Sequence, residues 1–330
     1  MKVLIPAAGR GTRLQPHTFS IPKPLIRFAG KSMLEHIIDN IEKAKISEYI
    51  FIVGYLKEAF VKYFNGNIHG TKLSYVDQLE QKGLADAIYK AKGLFKKDEE
   101  VLIILGDTLF EADIVKQIKK NESFICVHKV DNPDKFGVVY IDEDEYITDL
   151  IEKPKKSKSD LAVVGIYYFN SAFSLFKSID FILNNNIKTA GEFQITDALN
   201  YFVKTGGKLR AVTIDKWYDC GNREKLIETQ RLYIKRYNKH MLYKNCSIIE
   251  PVYIDESAIV ENSIIGPYVS IDKNAFIKNS IISDTIVGIS SHLENANIKS
   301  SVVGDESRYI NIPESIDLGS KSEITKGGVK

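Results

Sequence analysis

Between Asn245 and Gly304 apolar residues recur at about every sixth position, as in Ile254 and Val260 and again in Ile271 and Ile277, with Gly, Ser and Asn between them. No helical stripe survives there. A six-residue period suits a coil of three short sides, each turning one apolar residue inward, and so predicts a left-handed parallel β-helix over 245–318. Roughly three coils would fit, near the minimum that stacked repeats need to bury a continuous core. A few irregular strands packed on a preceding domain are the alternative. The last stretch, 319–330, is polar and reads as a frayed tail.

The chain before the repeats has another texture. From Met1 to about His240 short β-rich runs alternate with helical segments, the pattern of an α/β sheet with crossover connections, and 1–240 is expected to form one domain. The expected strands are Lys2–Pro6, Tyr49–Val53, Lys72–Val76, Val101–Leu105, Phe124–Val130, Leu161–Phe169 and Lys208–Ile214. Several are almost continuously apolar, as strands of a mainly parallel sheet are when helices cover both faces. The expected helices are Met33–Ala44, with Ser32 and Glu35 as a capping box, then Gly83–Leu94 and Asn222–Tyr237.

Composition narrows the class. Lys and Arg number 45 against 43 Asp and Glu, a formal charge of +2, which offers no footprint for nucleic acid. Three scattered cysteines, Cys126, Cys220 and Cys246, suit neither a disulfide framework nor a zinc cluster and fit a reducing compartment. The opening MKVLIPAAG lacks the longer apolar core of a signal peptide, and no run reaches the ~18 apolar residues that span a bilayer. A cytoplasmic protein without a membrane partner is expected.

Two places combine glycine with charge at strand ends. Ala7–Leu14 reads AAGRGTRL, followed by Pro22, Lys23 and Pro24. Gly9 and Gly11 would let backbone approach a ligand closely, and Arg13 and Lys23 add positive charge, a set suited to phosphate. The loop fits neither common phosphate fingerprint. Gly30-Lys31-Ser32 matches the end of a Walker A loop, but Leu25 stands where its first glycine belongs; Leu14 stands where a dinucleotide fingerprint needs its third glycine or alanine. The second place is Gly106-Asp107, directly after an apolar strand, where a carboxylate suits a hard cation or else caps the next helix. Asp219, in the run WYDCGN, is a candidate second ligand. The six histidines, His17, His36, His69, His128, His240 and His292, form no cluster along the sequence and read as structural or exposed.

The order and spacing of GRGTRL, PKPL, GLADA at Gly83–Ala87, GDT at Gly106–Thr108, EKP at Glu152–Pro154, GEFQITD at Gly191–Asp197 and WYDCG resemble the sugar-phosphate nucleotidylyltransferase family over essentially the whole chain. Within it the sequence looks most like glucose-1-phosphate thymidylyltransferases of the long form with a β-helical tail. The resemblance implies a Rossmann-like nucleotidyltransferase domain that joins a pyrimidine nucleoside triphosphate, dTTP above all, to a sugar 1-phosphate such as glucose 1-phosphate. It implies that Ala8, Gly9, Gly11, Thr12 and Arg13 hold the triphosphate, that Lys23 contacts its phosphates, and that Gln78 and Gly83 read the base. Asp107 and Asp219 would coordinate Mg²⁺. Gly137, Glu152, Lys153 and Val163 would hold the sugar phosphate, with Lys153 on its phosphate and Glu152 on its hydroxyls, and Glu192 and Gln194 would border the sugar. Arg13, Lys23, Asp107 and Asp219 are the expected catalytic set. Such chemistry needs no covalent enzyme intermediate, because a sugar phosphate is already a nucleophile and positioning two polyanions is the main difficulty.

Three residues depart from the pattern: Ala8 where many members have glycine, Pro6 where leucine is usual, and Gln194 where thymidylyltransferases often have glutamate. These bear on base and sugar choice, and a uridylyltransferase is the nearest alternative. A second alternative is a bifunctional chain whose β-helix is an acyl-CoA-dependent transferase; His292 is the one histidine of the repeats. A third is a catalytically silent scaffold. An open coil end exposes edges that association would cover, so a homo-oligomer is expected.

Overall fold

The computed structural model describes residues 1–236, 243, 245–312 and 320. The chain divides into two compact units, Met1–Leu232 and Tyr233–Lys330. The first is built on a ten-stranded sheet of β1 (Lys2–Pro6), β2 (Glu48–Val53), β3 (Asn67–Ile68), β4 (Thr71–Asp77), β5 (Val101–Ile104), β6 (Phe124–Lys129), β7 (Gly137–Ile141), β8 (Ile147–Glu152), β9 (Leu161–Phe169) and β10 (Arg210–Thr213). Its order is β8-β7-β9-β5-β1-β2-β4-β3, with β6 paired to β9 and β10 paired to β6. The centre, β4-β2-β1-β5, is parallel, and the apolar runs of β1, β2 and β5 are buried as double-sided strands must be. From β1 the chain moves outward to β2 and β4, then returns to β5 on the other side of β1. Such a reversal opens a crevice at the carboxyl ends of the two central strands. The loops leaving β1 and β5 are the two that sequence analysis marked.

The expected strands form, Lys2–Pro6 and Leu161–Phe169 with the expected bounds and the others with ends shifted by one or two residues. The first helix, α1 (Met33–Asp39), has its capping box: Glu35 N–H donates to Ser32 Oγ at 3.2 Å and Ser32 N–H to Glu35 Oε2 at 2.7 Å. It stops short of the expected Ala44. The Asn40 side-chain amide donates to the Phe110 carbonyl at 2.7 Å, and Ala44 N–H closes a tight turn onto Ile41. The helix expected over Gly83–Leu94 is likewise split into an α segment, Leu84–Tyr89, and a 3₁₀ turn, Lys92–Leu94, that contains Gly93. The third ends as an α-helix at Tyr233, followed by a 3₁₀ turn to Arg236; the expected last residue, Tyr237, lies outside the described residues.

Elements that sequence analysis did not anticipate include the β7–β8 hairpin, the helices Ala172–Asn184 and Ile195–Lys204, and a two-stranded antiparallel ribbon of Thr108–Glu111 with Lys216–Asp219. The ribbon matters most for the site. Its register sets Asp219 opposite Thr108 and so beside Asp107, although 112 positions separate the two aspartates in the sequence.

In the second unit three parallel sheets of four strands each stack along a common axis, consistent with a left-handed β-helix. The apolar pairs read from the period lie in register: Ile254 sits on Ile271, and Val260 on Ile277. With Ile265, Val269, Ile282, Val287 and Leu293 they fill the buried axis. Each sheet has four strands where about three coils were expected, because successive coils take 17 and then 16 residues and the stack continues to Ile310. Left-handed corners are occupied by Asn245, Asn262, Asn279 and Asn295, whose short polar side chains tolerate that conformation. Asn245 Nδ2 donates to Asn262 Oδ1 at 3.1 Å, and Asn262 Nδ2 to Asn279 Oδ1 at 3.4 Å. Of the expected tail only Ser320 is described.

Candidate functional site

Two neighbouring cavities open in the first unit along the carboxyl edge of the parallel strands. The first, about 440 Å³, is walled by the loop after β1, including Ala8, Gly9, Gly11, Thr12 and Arg13, together with Lys23, Gln78, Gly83, Asp107, Glu192 and Gly221. The second, about 220 Å³, is walled by Gly137, Glu152, Val163, Gln194, Thr196, Trp217, Asp107 and Asp219. Asp107 borders both.

Local structure explains the first wall. After Pro6 the chain cannot continue as strand: Ala7 N–H still pairs with Ile52 O at 2.8 Å, but Gly11 turns left-handed at φ 61°. Thr18 Oγ1 donates to Gly11 O at 2.9 Å, and a Cβ on Gly11 would press on Thr18 and Lys23 at 3.0 Å. That turn therefore seats Lys23. The Lys23 side chain is 9% exposed and its ammonium donates to Asp107 Oδ2 at 2.5 Å. A lysine that deeply buried needs an anion, and Asp107 supplies it. Gly83, at φ 118°, lies against the Phe193 backbone so tightly that a Cβ would fall 2.4 Å from Phe193 O. Ala85 N–H donates to Phe193 O at 3.0 Å and Phe193 N–H to Lys82 O at 2.9 Å, so the GLADA and GEFQITD segments are bonded to each other. Gln78 Nε2 lies 3.4 Å from Gly83 O, and Gln81 Nε2 donates to Ala8 O at 3.2 Å, joining the base-side loop to the glycine loop.

Around Asp219 the charges are close. A Cβ on Gly221 would lie 2.8 Å from Asp219 Oδ1 and 3.3 Å from Arg13 Nη1, so the carboxylate and the guanidinium both close on this glycine. Lys225 lies 3.8 Å from Asp219 Oδ2. Between them in the sequence, Cys220 is buried, which pushes its thiol up to about 12 and leaves it a packed, neutral side chain.

In the second cavity Glu152 Oε2 accepts from Thr196 Oγ1 at 2.7 Å, and Gly137 stands opposite Glu152 in the β7–β8 pair. A Cβ on Gly137 would crowd that hydrogen bond, at 3.0 Å from Thr196 Oγ1 and 3.1 Å from Glu152 Oε2. Asp197, next to Thr196, has its carboxyl raised by burial and by the neighbouring Glu152 charge.

Most residues expected to act together thus share one crevice. Lys153 stands apart: its side chain is half exposed, lines neither cavity and lies 3.5 Å from Glu152. Glu192 lines the first cavity and Gln194 the second, with Gln194 Nε2 donating to Glu192 Oε2 at 3.2 Å. Asp107 does not cap a helix; the chain goes on into the ribbon strand Thr108–Glu111. Sequence reasoning missed Gln81, Lys135, Thr196 and Trp217, all of which line a cavity. Thr196 and Trp217 lie inside quoted motifs, whereas Gln81 and Lys135 carry no such signal. Among the described residues no group of three or more His, Cys, Asp or Glu side chains is placed to hold a metal ion. None of the described helices is long and apolar enough to cross a membrane.

The family model for nucleotidyl transferases matches residues 2–236. The bifunctional protein GlmU of Methanococcus maripaludis strain C5 is 36% identical over 267 residues, which are 78% of this chain and 61% of that protein. The chain thus spans about three-fifths of that relative. The UTP–glucose-1-phosphate uridylyltransferase AglF of Haloferax volcanii is 31% identical over 239 residues, 70% of this chain and 96% of that protein. Among solved structures, UDP-glucose pyrophosphorylase complexed with UDP-glucose superimposes with a TM-score of 0.63 at 28% identity, over 72% of this chain and 99% of that one. A Bacillus anthracis structure provisionally assigned as a glucose-1-phosphate thymidylyltransferase, in complex with a sucrose, gives 0.61 at 29% identity, over 73% and 98%. By the match over 2–236 and the extent of these likenesses, this chain belongs to the nucleotidyl transferase family.

Proposed function

We propose that the chain transfers a nucleotidyl group from a pyrimidine nucleoside triphosphate to a sugar 1-phosphate, releasing pyrophosphate. One observation carries this reading: Asp107, bonded to Lys23, borders both the glycine-loop cavity and the cavity lined by Glu152 and Gly137. A triphosphate in the first and a sugar phosphate in the second would meet at that carboxylate. The sugar phosphate oxygen then attacks the α-phosphorus in line, the α–β bridging bond breaks, and pyrophosphate leaves with its electron pair. Arg13 and Lys23 bind and orient the phosphates, Gln78 and Gly83 face the base, and Glu152 and Gln194 face the sugar; Lys153 would have to swing inward to reach the sugar's phosphate. Asp107 and Asp219 together offer hard oxygen donors beside the triphosphate, the donor set that suits Mg²⁺ with phosphate oxygens completing its shell. Mg²⁺ held there would stabilise the charge that develops on the phosphates.

For the base, the motifs favour dTTP and, for the sugar, glucose 1-phosphate. UTP is the second reading, supported by the relative named a UTP–glucose-1-phosphate uridylyltransferase and by Gln194 in place of glutamate. A matrix of dTTP, UTP, CTP, ATP and GTP against glucose, glucosamine and N-acetylglucosamine 1-phosphates, with Mg²⁺, tests both. Pyrophosphate is expected from dTTP or UTP with one of the sugars. Release only from purine nucleotides, or from no pair, would refute the reading.

A further inference from the structure

The second cavity poses a charge problem. Its walls carry three carboxylates, Asp107, Glu152 and Asp219, against one ammonium, that of Lys135; Lys23, Lys153 and Lys225 each meet one of those carboxylates from outside the wall, so little positive charge is left over for a further anion. The ligand proposed for it is a phosphate monoester bearing about −1.5 to −2 charges at neutral pH. Directly after Glu152 the chain reads KPKKSKSD, with Lys153, Lys155, Lys156 and Lys158 against the single acid Asp160. All four lysines are exposed, and the ion pair of Lys153 with Glu152 is the only one that any of them makes among the described residues.

This lysine segment is tied down. Pro154 is buried, and Lys153 N–H donates to Phe136 O at 3.0 Å. Ser157 Oγ donates to Ser159 O at 2.7 Å, and Ser159 Oγ donates to Val139 O at 2.6 Å. These bonds fix the strap along β7, whose first residue, Gly137, lines the cavity with Lys135 and Phe136 just before it. The nearby acids Asp131 and Asp134 are offset by Lys129 and Lys135; the strap leaves β8 at the Gly137 end of the hairpin, whereas the four acids of its turn, Asp142–Glu145, close the other end, where Glu145 pairs with Arg210.

We propose that Lys155, Lys156 and Lys158 form an electrostatic steering surface that draws the sugar phosphate toward the acid-walled cavity. The inference rests on the function proposed above. Clustered charge of this kind raises the local concentration of an anion and its association rate, and the effect fades once the screening length falls below the distance from strap to ligand.

The test is the triple substitution Lys155→Gln, Lys156→Gln and Lys158→Gln in the full chain, with Lys153 kept. At an ionic strength of about 20 mM, kcat/KM for glucose 1-phosphate is expected to fall roughly five- to tenfold, with kcat and the KM for the nucleotide within about twofold of wild type; at about 0.5 M the difference should vanish. Unchanged kcat/KM at low salt, a deficit that persists at high salt, or an equal loss for the nucleotide would each overturn the steering role. Calorimetric titration of glucose 1-phosphate at both ionic strengths needs no turnover. Wild-type binding that weakens with salt more than binding to the triple variant supports the strap even if the matrix shows no reaction, while equal salt dependence, or no binding, overturns it. The double variant Lys156→Gln/Lys158→Gln, expected to show a smaller effect of the same sign, serves if the triple variant folds poorly.

Discussion

At the scale of single residues, the central feature is a pair of carboxylates supported by cations. Asp107 is 41% exposed on its side chain and bonded to buried Lys23, while Asp219 lies beside Arg13 and Lys225. Asp107→Asn keeps the size and an acceptor for Lys23 but removes the charge, and Asp219→Asn does the same for its neighbours. Each is expected to lower kcat by roughly 10²–10³-fold, the scale of losing one preorganised electrostatic group; Asp219→Asn should leave the thermal midpoint near wild type, while Asp107→Asn, which leaves buried Lys23 without its anion, should also lower it. Wild-type turnover in either variant would remove that aspartate from the mechanism. A different residue governs acid stability. His36 is buried, stacks on Phe28 at 4.8 Å and bonds Phe28 O through Nε2 at 3.1 Å; burial lowers its pKa to about 4 from 6.5. The unfolded chain therefore takes up a proton at His36 that the folded chain refuses. Stability from this residue is whole above pH 6.5 and is lost as pH falls toward 4, by about 3 kcal/mol. In denaturant titrations His36→Gln should flatten the decline between pH 6.5 and 4, and an unchanged slope would contradict the assignment.

At the scale of elements, the β-helix rests on stacked strands and on a column of asparagines at one corner. Asn262 is left-handed at φ 49° and its amide bonds the asparagines of the coils above and below. Asn262→Gly should keep the turn and lose only the amide ladder, whereas Asn262→Ala should lose both and destabilise the second unit by roughly 1 kcal/mol more. Equal melting of the two variants would show that the backbone conformation adds nothing. The period of that unit was legible because each inward position repeats locally; the coil length was not, since 16 or 17 residues per coil depends on how each corner is cut. In the first unit the same distinction holds. An apolar run ending at Leu105 was enough to put Asp107 at a strand's carboxyl end. Nothing near Asp219 states that it pairs beside Thr108, because that register is set by distant packing. The β7–β8 hairpin escaped for a related reason: its acidic turn, Asp142–Glu145, reads as a solvated loop, and the alternation on either side is short. Lys23 was legible as a charge but not as a buried one, since its burial depends on the left-handed turn at Gly11.

At the scale of the whole molecule, each unit has its own apolar core, and both cavities belong to the first. Direct transfer requires the two substrates to be held at once on either side of Asp107, with no nucleotide left covalently on the protein. Exchange of labelled pyrophosphate into dTTP or UTP measures this directly. Exchange is expected only when sugar 1-phosphate, or the sugar nucleotide formed from it, is present. Exchange with the nucleotide alone would reveal a nucleotidylated enzyme, and exchange under neither condition would leave the paired cavities without their reaction; either result contradicts the account.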